Sequence, residues 1–254
     1  TENYVPKKII KNNTLQYDSR QTTYDITPAT NIGSHILQAA FYKNEFLINA
    51  NLNSIINISN NYAAESMFYH CTNLEVVDLK NLETISGEYV VDQMFTGCTN
   101  LVSVNLDSLT NISGSYTAIS MFNGCKKLKT INLQSLEEIS GHQVTTSLFS
   151  NCSDLESVNL SGLKKIAGYE SAKGMFQNCS KLKSIDLSSL ISVSDSYAMS
   201  NMFSDCKDLE TIEFKSLEII YNSYAMGNIF SNCNKLKNVT IGNNVVDIDF
   251  GTSV

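Results

Sequence analysis

The sequence predicts an α/β repeat, a right-handed solenoid with a parallel β-sheet along one side and short helices along the other. Three observations predict it. The seven cysteines, Cys71, Cys98, Cys125, Cys152, Cys179, Cys206 and Cys233, follow one another at intervals of 27 residues. The same apolar residues recur at fixed offsets from each of them. The apolar period also changes at the cysteine, from helical spacing ahead of it to strand-like alternation behind it. A unit of this length cannot bury its apolar face alone, so neighbouring coils must stack and share one core.

Residues 1–33 precede the repeat and contain both prolines, Pro6 and Pro28. They are expected to cap the first coil, with TTYDIT (22–27) as a short strand because Tyr24 and Ile26 alternate with polar residues. Residues 34–60 form a degenerate coil in which Phe41, Leu47, Leu52 and Ile58 keep phase while Asn44 stands where the cysteine would be. Residues 61–241 hold seven regular repeats, so the solenoid is expected to run over 34–241. In residues 242–254 Asn244 and Asp247 replace the expected Leu and Ile, which reads as a closing segment.

Within each repeat, positions are counted from the cysteine. Phenylalanine always stands at −3, from Phe68 to Phe230, and Met, Leu or Ile at −4. Position −7 is apolar except at Thr145. These offsets form one face of a helix of about two turns. Asn60–Asn61, Asp195–Ser196 and Asn222–Ser223 read as N-caps. Gly97, Gly124, Asn151, Asn178, Asp205 and Asn232, just before the cysteine, tolerate the left-handed turn that closes a helix, and His70 is the exception. Behind the cysteine, Leu at +3, Val or Ile at +6 and Leu, Phe or Ile at +8 describe a strand that points +5 and +7 away from the core. Leu82, Ile85 and their equivalents line a second extended side.

Composition removes several functions. A net charge of −7 and a pI near 5.0 oppose nucleic-acid binding, which needs a basic face. The sequence has no apolar run long enough to span a membrane as a helix. The chain opens on Thr1 without methionine, which fits a removed signal peptide or a trimmed end. The odd cysteine count and its structural period oppose a disulfide framework. The cysteines are expected to be buried and inert, because each occupies a core phase and no C-x-x-C or recurring histidine accompanies it. No metal or cofactor is expected. His35, His70 and His142 fall at unrelated phases, and no nucleophile, P-loop or dinucleotide motif is present, so no enzyme is expected.

The run L-x-x-V-x-L-x-x-L-x-x-I is a leucine-rich repeat, and with the block Met94–Phe95–Cys98–Leu101 it resembles the BspA-like (Treponema-type) leucine-rich repeats. The chain departs from that pattern in lacking the proline after the strand and in carrying Met–Phe in place of Ala–Phe. The resemblance implies a secreted or surface-anchored module that binds proteins, matrix or glycans and has no common catalytic residues.

Three columns carry the candidate interactions. The outward strand face offers Asp78, Ser103, Asn105, Thr130, Asn132, Asn159, Asp186 and Glu213, small hydroxyls, amides and carboxylates suited to hydrogen-bonding a glycan or an extended peptide. A solvated sheet with side-chain ladders is the competing reading, under which the chain is a spacer between other modules. Tyr62, Tyr89, Tyr116, Tyr197 and Tyr224 form a second column, interrupted at Gln143 and Glu170, and are a candidate partner strip. In the third, Lys127, Asp154, Lys181, Asp208, Lys235 at +2 and Lys129, Glu156, Lys183, Glu210, Lys237 at +4 alternate in sign, so each charge is expected to meet opposite charges above and below. Asn57–Ile58–Ser59 matches a glycosylation acceptor, with Ile58 in a core phase.

Overall fold

In the computed structural model the described residues are 37–222, 224–242 and 245, together with the backbone of four short strands at 9–11, 14–16, 23–25 and 31–32. Every repeat is one three-sided coil. The first side is the +5 to +7 strand, as in Ser103–Asn105, and the second is a strand beginning at +13, as in Asn111–Ser115. The third is the Met–Phe–x–x–Cys segment.

Equivalent strands stack in parallel and in register at the repeat interval, for example Ile112 against Ile85 on one side and Ile139 on the other. The second side forms one continuous eight-stranded sheet from Asn31–Ile32 to Ile219–Ile220. The first side is divided. One ladder joins Thr23–Asp25, Asn49–Asn51, Val76–Asp78 and Ser103–Asn105; another joins the five strands from Thr130–Asn132 to Asn238–Ile241. Part of the expected strand at 22–27 is thus present as Thr23–Asp25, paired with Asn49–Asn51. The rest of residues 1–33 lies outside the described residues, apart from Asn31–Ile32 and an antiparallel pair, Ile9–Lys11 with Thr14–Gln16. Of the closing segment 242–254 only Gly242 and Val245 are described.

The third side corrects the expected helices: among the described residues there are none. The segment is instead a ribbon of turns with a left-handed residue every fourth position, Tyr62, Ser66 and His70 in one coil (φ 58°, 52° and 54°) and Tyr116, Ser120 and Gly124 two coils on. Its amides alternate in direction. Met67, Tyr69 and Cys71 donate within the coil to carbonyls three residues back, while Ala64, Ser66, Phe68 and His70 donate to Val90, Asp92, Met94 and Thr96 of the next coil at 2.8–2.9 Å. The physical reason is spacing. Packed helices stand about 8–10 Å apart and strands about 4.8 Å. The buried phenylalanines of the third side stack nearly parallel, with ring centroids 5.2 Å apart from Phe41 to Phe149 and 5.6–5.9 Å apart beyond. A side that rises by one strand spacing per coil has no room for a helix. The Gly and Asn residues ahead of the cysteines do take the left-handed conformation, at φ 61–73° for Gly97, Gly124, Asn151, Asn178, Asp205 and Asn232, but as turns of this ribbon. The predicted caps also act across coils: Asn61 Oδ1 accepts the Glu88 amide at 3.0 Å and Asp195 Oδ2 the Gly168 amide at 2.9 Å.

The core is a column of identical layers. Leu at +3, Val or Ile at +6 and Phe at −3 are buried from the coil of Cys71 to that of Cys206, while in the last coil Leu236 is half-buried and Val239 exposed. Thr145, the exception at −7, is fully buried and donates its hydroxyl to the Ser171 carbonyl at 2.8 Å, so a polar atom is accommodated there. Each cysteine thiol donates to the carbonyl of the phenylalanine 30 residues earlier, at 2.9–3.3 Å, from Cys71 to Phe41 through Cys233 to Phe203. That carbonyl also accepts the amide of the cysteine three residues after it, as Phe95 does from Cys98. All seven cysteines are free, six of them buried and Cys233 half-buried. Burial pushes the Cys71 and Cys152 thiols up to about 12 and Cys233 to about 11. Because the thiolate is the nucleophile, native protein treated with iodoacetamide should be labelled first and slowly at Cys233, with a thiolate population roughly a hundredfold below that of an ordinary cysteine. The other six should react only after denaturation; rapid labelling of any of them by mass spectrometry would contradict the packing described.

One buried carboxylate is out of keeping with this column. Asp92 is only 7 % exposed, its Oδ1 has no partner, and its Oδ2 accepts Gln93 Nε2 at 3.2 Å. Burial raises its pKa from 3.8 to about 6, and the negative charge of Glu65 adds to this. The folded pKa exceeds the unfolded one, so the contribution to stability is fully present below pH 3.8 and is lost as pH rises through 6. Asp92→Asn is therefore expected to raise stability by roughly 1–3 kcal/mol at pH 7 and by little at pH 4, as read from urea midpoints at the two pH values.

Candidate functional site

The first side presents the sheet face, and here the two outward positions differ. The +5 residues Ser103, Thr130, Ser157, Ser184 and Thr211 are exposed. The hydroxyls of Thr130, Ser157 and Ser184 make no hydrogen bond among the described residues. The +7 residues are tied into the coil. Asp78, Asn105, Asn132, Asn159 and Asp186 each accept, through Oδ1, the amide two residues on, at 3.0–3.4 Å, which turns the chain out of the strand. The carboxamides also link along the stack, Asn159 Nδ2 to Asn132 Oδ1 at 3.1 Å and Asn132 Nδ2 to Asp107 Oδ1 at 2.8 Å. Glu213 pairs with Lys215 at 2.6 Å. The hydrogen bonds from the Ser188 hydroxyl and amide hold the Asp186 carboxyl below the usual carboxylate range.

The predicted residues therefore fall into two groups. Asp78, Ser103 and Asn105 lie on the first ladder, and Thr130, Asn132, Asn159, Asp186 and Glu213 on the second. On the second ladder the face sinks into a shallow depression of about 540 Å³ across three coils, lined by Thr130, Asn132, Ser157, Asn159, Ser161, Ser184 and Asp186 over the backbone of Ile131, Val158 and Ile185. Ser157, Ser161 and Ser184 join the predicted set. The signal for Ser157 and Ser184 is the run of small hydroxyl residues at +5 from Ser103 to Thr211; Ser161, at +9, follows Gln134 and precedes Ser188 and has no such run.

The tyrosine column is complete where the sequence shows a gap. His142 and Tyr169, each one residue ahead of Gln143 and Glu170, supply the missing rings. Centroid distances run 5.3 Å (Tyr62–Tyr89), 4.8 Å (Tyr89–Tyr116), 5.0 Å (Tyr116–His142), 5.2 Å (His142–Tyr169), 6.1 Å (Tyr169–Tyr197) and 5.7 Å (Tyr197–Tyr224). Most of these rings stack face to face, so the column shows solvent mainly edges and hydroxyls. The displaced Glu170 turns inward, where it accepts Lys173 Nζ at 2.7 Å and Gln143 Nε2 at 2.9 Å. Burial alone would raise its pKa, but the bonds from Lys173, Tyr169 and Gln143 hold it below the usual range.

The charge columns depart from the expected continuous alternation. They resolve into separate pairs, Asp154–Lys181 and Asp208–Lys235 at 2.7 Å, Glu210–Lys237 at 3.5 Å and Glu156–Lys183 at 3.9 Å. Each carboxylate selects the lysine of the following coil; among the described residues Lys127 and Lys129 form no ion pair. His70 packs against Tyr69 and His142 belongs to the ring column, while His35 lies outside the described residues. No helix among the described residues is long and apolar enough to cross a membrane.

Comparison with known proteins places these features. The family profile described as "BspA type Leucine rich repeat region (6 copies)" matches over residues 8–117, 92–225 and 170–252. Among solved structures, a leucine-rich-repeat protein of T. pallidum matches with a TM-score of 0.53 at 19% identity, over 94% of this chain and 91% of that one. Toll in the Toll–Spatzle complex of Drosophila matches with a TM-score of 0.49 at 19% identity, over 85% of this chain and 26% of that one. A leucine-rich cell surface protein of Faecalibacterium prausnitzii matches with a TM-score of 0.27 at 16% identity, over 92% of each chain. No curated protein matches.

Proposed function

Since this chain belongs to the BspA-type leucine-rich-repeat family, we propose that it is a non-enzymatic recognition module of a secreted or cell-surface protein, taking up a protein or glycan on its sheet face. Residues 34–241 provide the binding solenoid in this reading, with 1–33 capping it and 242–254 closing it. The observation that carries the reading is the depression across three coils, whose +5 hydroxyls are exposed and internally unpaired. The free cysteines do not oppose an extracellular location, because thiols that are buried and kept protonated are protected from oxidation.

The test is a ligand screen on protein and glycan arrays with two variants as comparators. Combined Thr130→Ala, Ser157→Ala and Ser184→Ala should leave the thermal midpoint almost unchanged, since exposed substitutions cost within about 0.5 kcal/mol each. The same variant should weaken a sheet-face ligand at least tenfold, and unchanged binding would sink the reading. Combined Asn105, Asn132 and Asn159→Ala should instead lower stability, because those side chains shape turns.

A spacer that holds other modules apart is the second reading. The internal use of the +7 side chains and the covered faces of the tyrosine column favour it. A spacer would yield no ligand in the screen. The tyrosine edges are a secondary candidate strip for a protein partner.

A further inference from the structure

The charge columns beside the sheet face are out of balance at one coil. Lys127, Lys181 and Lys235 share two carboxylates at +2, and Lys129, Lys183 and Lys237 share two at +4. Each carboxylate takes the lysine of the following coil, so the surplus lysine of both columns falls in the coil of Cys125. Lys126 stands there too, at +1, and is likewise in no ion pair among the described residues. We propose that Lys126, Lys127 and Lys129, with the exposed Val102 and Val76 of the two preceding coils, dock a short acidic segment of a partner protein that carries an apolar residue beside its carboxylates. This rests on the reading of the chain as a recognition module, not on the depression.

The first argument is uncompensated charge. Eight other lysines are ion-paired, whereas these three, all exposed within four residues, are not. Their neighbours in the stack offer no free counter-charge. Thr99, Asn100 and Val102 stand at the same phases one coil before, and Ser153, Asp154 and Glu156 one coil after. Of these, Asp154 is held by Lys181 at 2.7 Å and Glu156 by Lys183 at 3.9 Å. Like charges this close repel, and carboxylates brought from outside relieve the repulsion. Solubility does not call for the cluster, since it lowers the magnitude of a net charge that is already −7.

The second argument is extent. The surplus charge occupies one coil and does not continue along the stack. Towards the N-terminus the columns run on as Asn100 and Asn73 at +2 and Val102 and Glu75 at +4. A uniformly charged polysaccharide lying across the coils would find one matching coil, with Glu75 on one side and Asp154 and Glu156 on the other. A segment with two or three adjacent carboxylates fits the patch as it stands.

The third argument is the apolar flank. Val76 is 40 % exposed and Val102 47 %. From the coil of Cys125 onward the same two positions, +4 and +5, hold only hydroxyl, amide or charged residues. Covering the two valines removes apolar area from water, which favours a protein side chain over a polyanion. The step from lysines to valines is thus matched by carboxylates followed by an apolar residue.

The experiment selects a random dodecapeptide library on the immobilised intact chain and measures a synthetic copy of the most enriched peptide by fluorescence anisotropy. The expected consensus has two or three Asp or Glu residues next to an apolar one, and affinity falls between about 50 and 200 mM NaCl. Combined Lys127→Glu and Lys129→Glu should weaken binding roughly tenfold. Val102→Ser should weaken it severalfold and leave the salt dependence unchanged. Lys207→Glu, the same charge change at an unpaired lysine three coils away, should bind as the parent does. All the substituted side chains are exposed, and circular dichroism checks that each variant is folded. A consensus without acidic residues, or equal binding by the doubly substituted chain, overturns the proposal. So does heparin binding that ignores Val102→Ser where no acidic peptide is selected. A chain that sediments as a dimer and becomes monomeric in the double variant would put its own acidic surface on the patch, and this too overturns the proposal. A peptide lost in the combined Thr130, Ser157 and Ser184→Ala variant but kept by the lysine variant refutes the proposal and leaves the sheet-face reading standing. The reverse pattern supports the proposal and removes the depression as the site.

Discussion

Gly141→Ala is expected to destabilise the protein by roughly 3–5 kcal/mol, among the largest single effects available to this chain. Gly141 has φ +126°, a conformation closed to other L-residues. A Cβ placed there would lie far inside van der Waals contact with the Gly114 carbonyl oxygen, and Gly114 stands in the same relation to Gly87. The obstruction is backbone on backbone in a five-residue parallel pairing, Asn111–Ser115 with Glu138–His142, so no side chain can move aside. Gly124 gives the contrast. It also has a positive φ, at +73°, but a Cβ there would meet nothing closer than 3.9 Å. Gly124→Ala should cost only about 1–2 kcal/mol, the ordinary left-handed penalty. Urea midpoints of the two variants check the difference, and equal losses would show that the glycine column is not the close approach described.

Phe149→Ala is expected to cost about 3–5 kcal/mol. Phe149 is fully buried between Phe122 at 5.2 Å and Phe176 at 5.6 Å. Truncation removes two ring contacts and opens a void in the middle of the stack, where neither neighbouring coil can close in while the strands hold the spacing. Tyr197→Ala, in the exposed ring column at 39 % exposure, should lose less than about 1.5 kcal/mol. Thermal denaturation of both variants tests the ranking. A Phe149→Ala loss as small as that of Tyr197→Ala would mean that the core relaxes more freely than its packing indicates.

Much of this architecture was legible in the sequence because a solenoid writes its core as a period. The 27-residue interval, the buried Phe at −3 and Leu at +3, and the strands at +5 to +7 follow from counting. The third side is ambiguous in the sequence for a physical reason. Apolar residues at −7, −4, −3 and 0 mark a helix face, but they equally fit a ribbon that turns back every fourth residue. The discriminating signal lay at −5 and −1, where Ser66, Gly174, Asn201, Asn228, Gly97 and Asn151 are residues suited to turns. A two-turn helix would not place such residues four apart through the stack.

The site was legible in chemistry but not in assignment. Asn132 and Asn159 were recognised as outward and polar, yet local geometry draws them into turns and leaves the hydroxyls of Thr130, Ser157 and Ser184 free. A strict interval also hid two rings. His142 and Tyr169 stand one residue early, and only three-dimensional packing shows that they complete the column from Tyr116 to Tyr197.

The division of the sheet face between Asn105 and Thr130 has a mechanical consequence. At that junction the strands of the first side are not joined in one ladder, while behind them the second side keeps a five-residue pairing, Asn111–Ser115 against Glu138–His142, as long as that of Asn111–Ser115 with Thr84–Glu88. Across the seam the Asn132 Nδ2–Asp107 Oδ1 bond at 2.8 Å and the Ser135 hydroxyl on the Asp107 carbonyl at 2.6 Å stand in for the missing ladder. A load on the stack at this point is therefore shared between side chains in front and the glycine-containing strands behind.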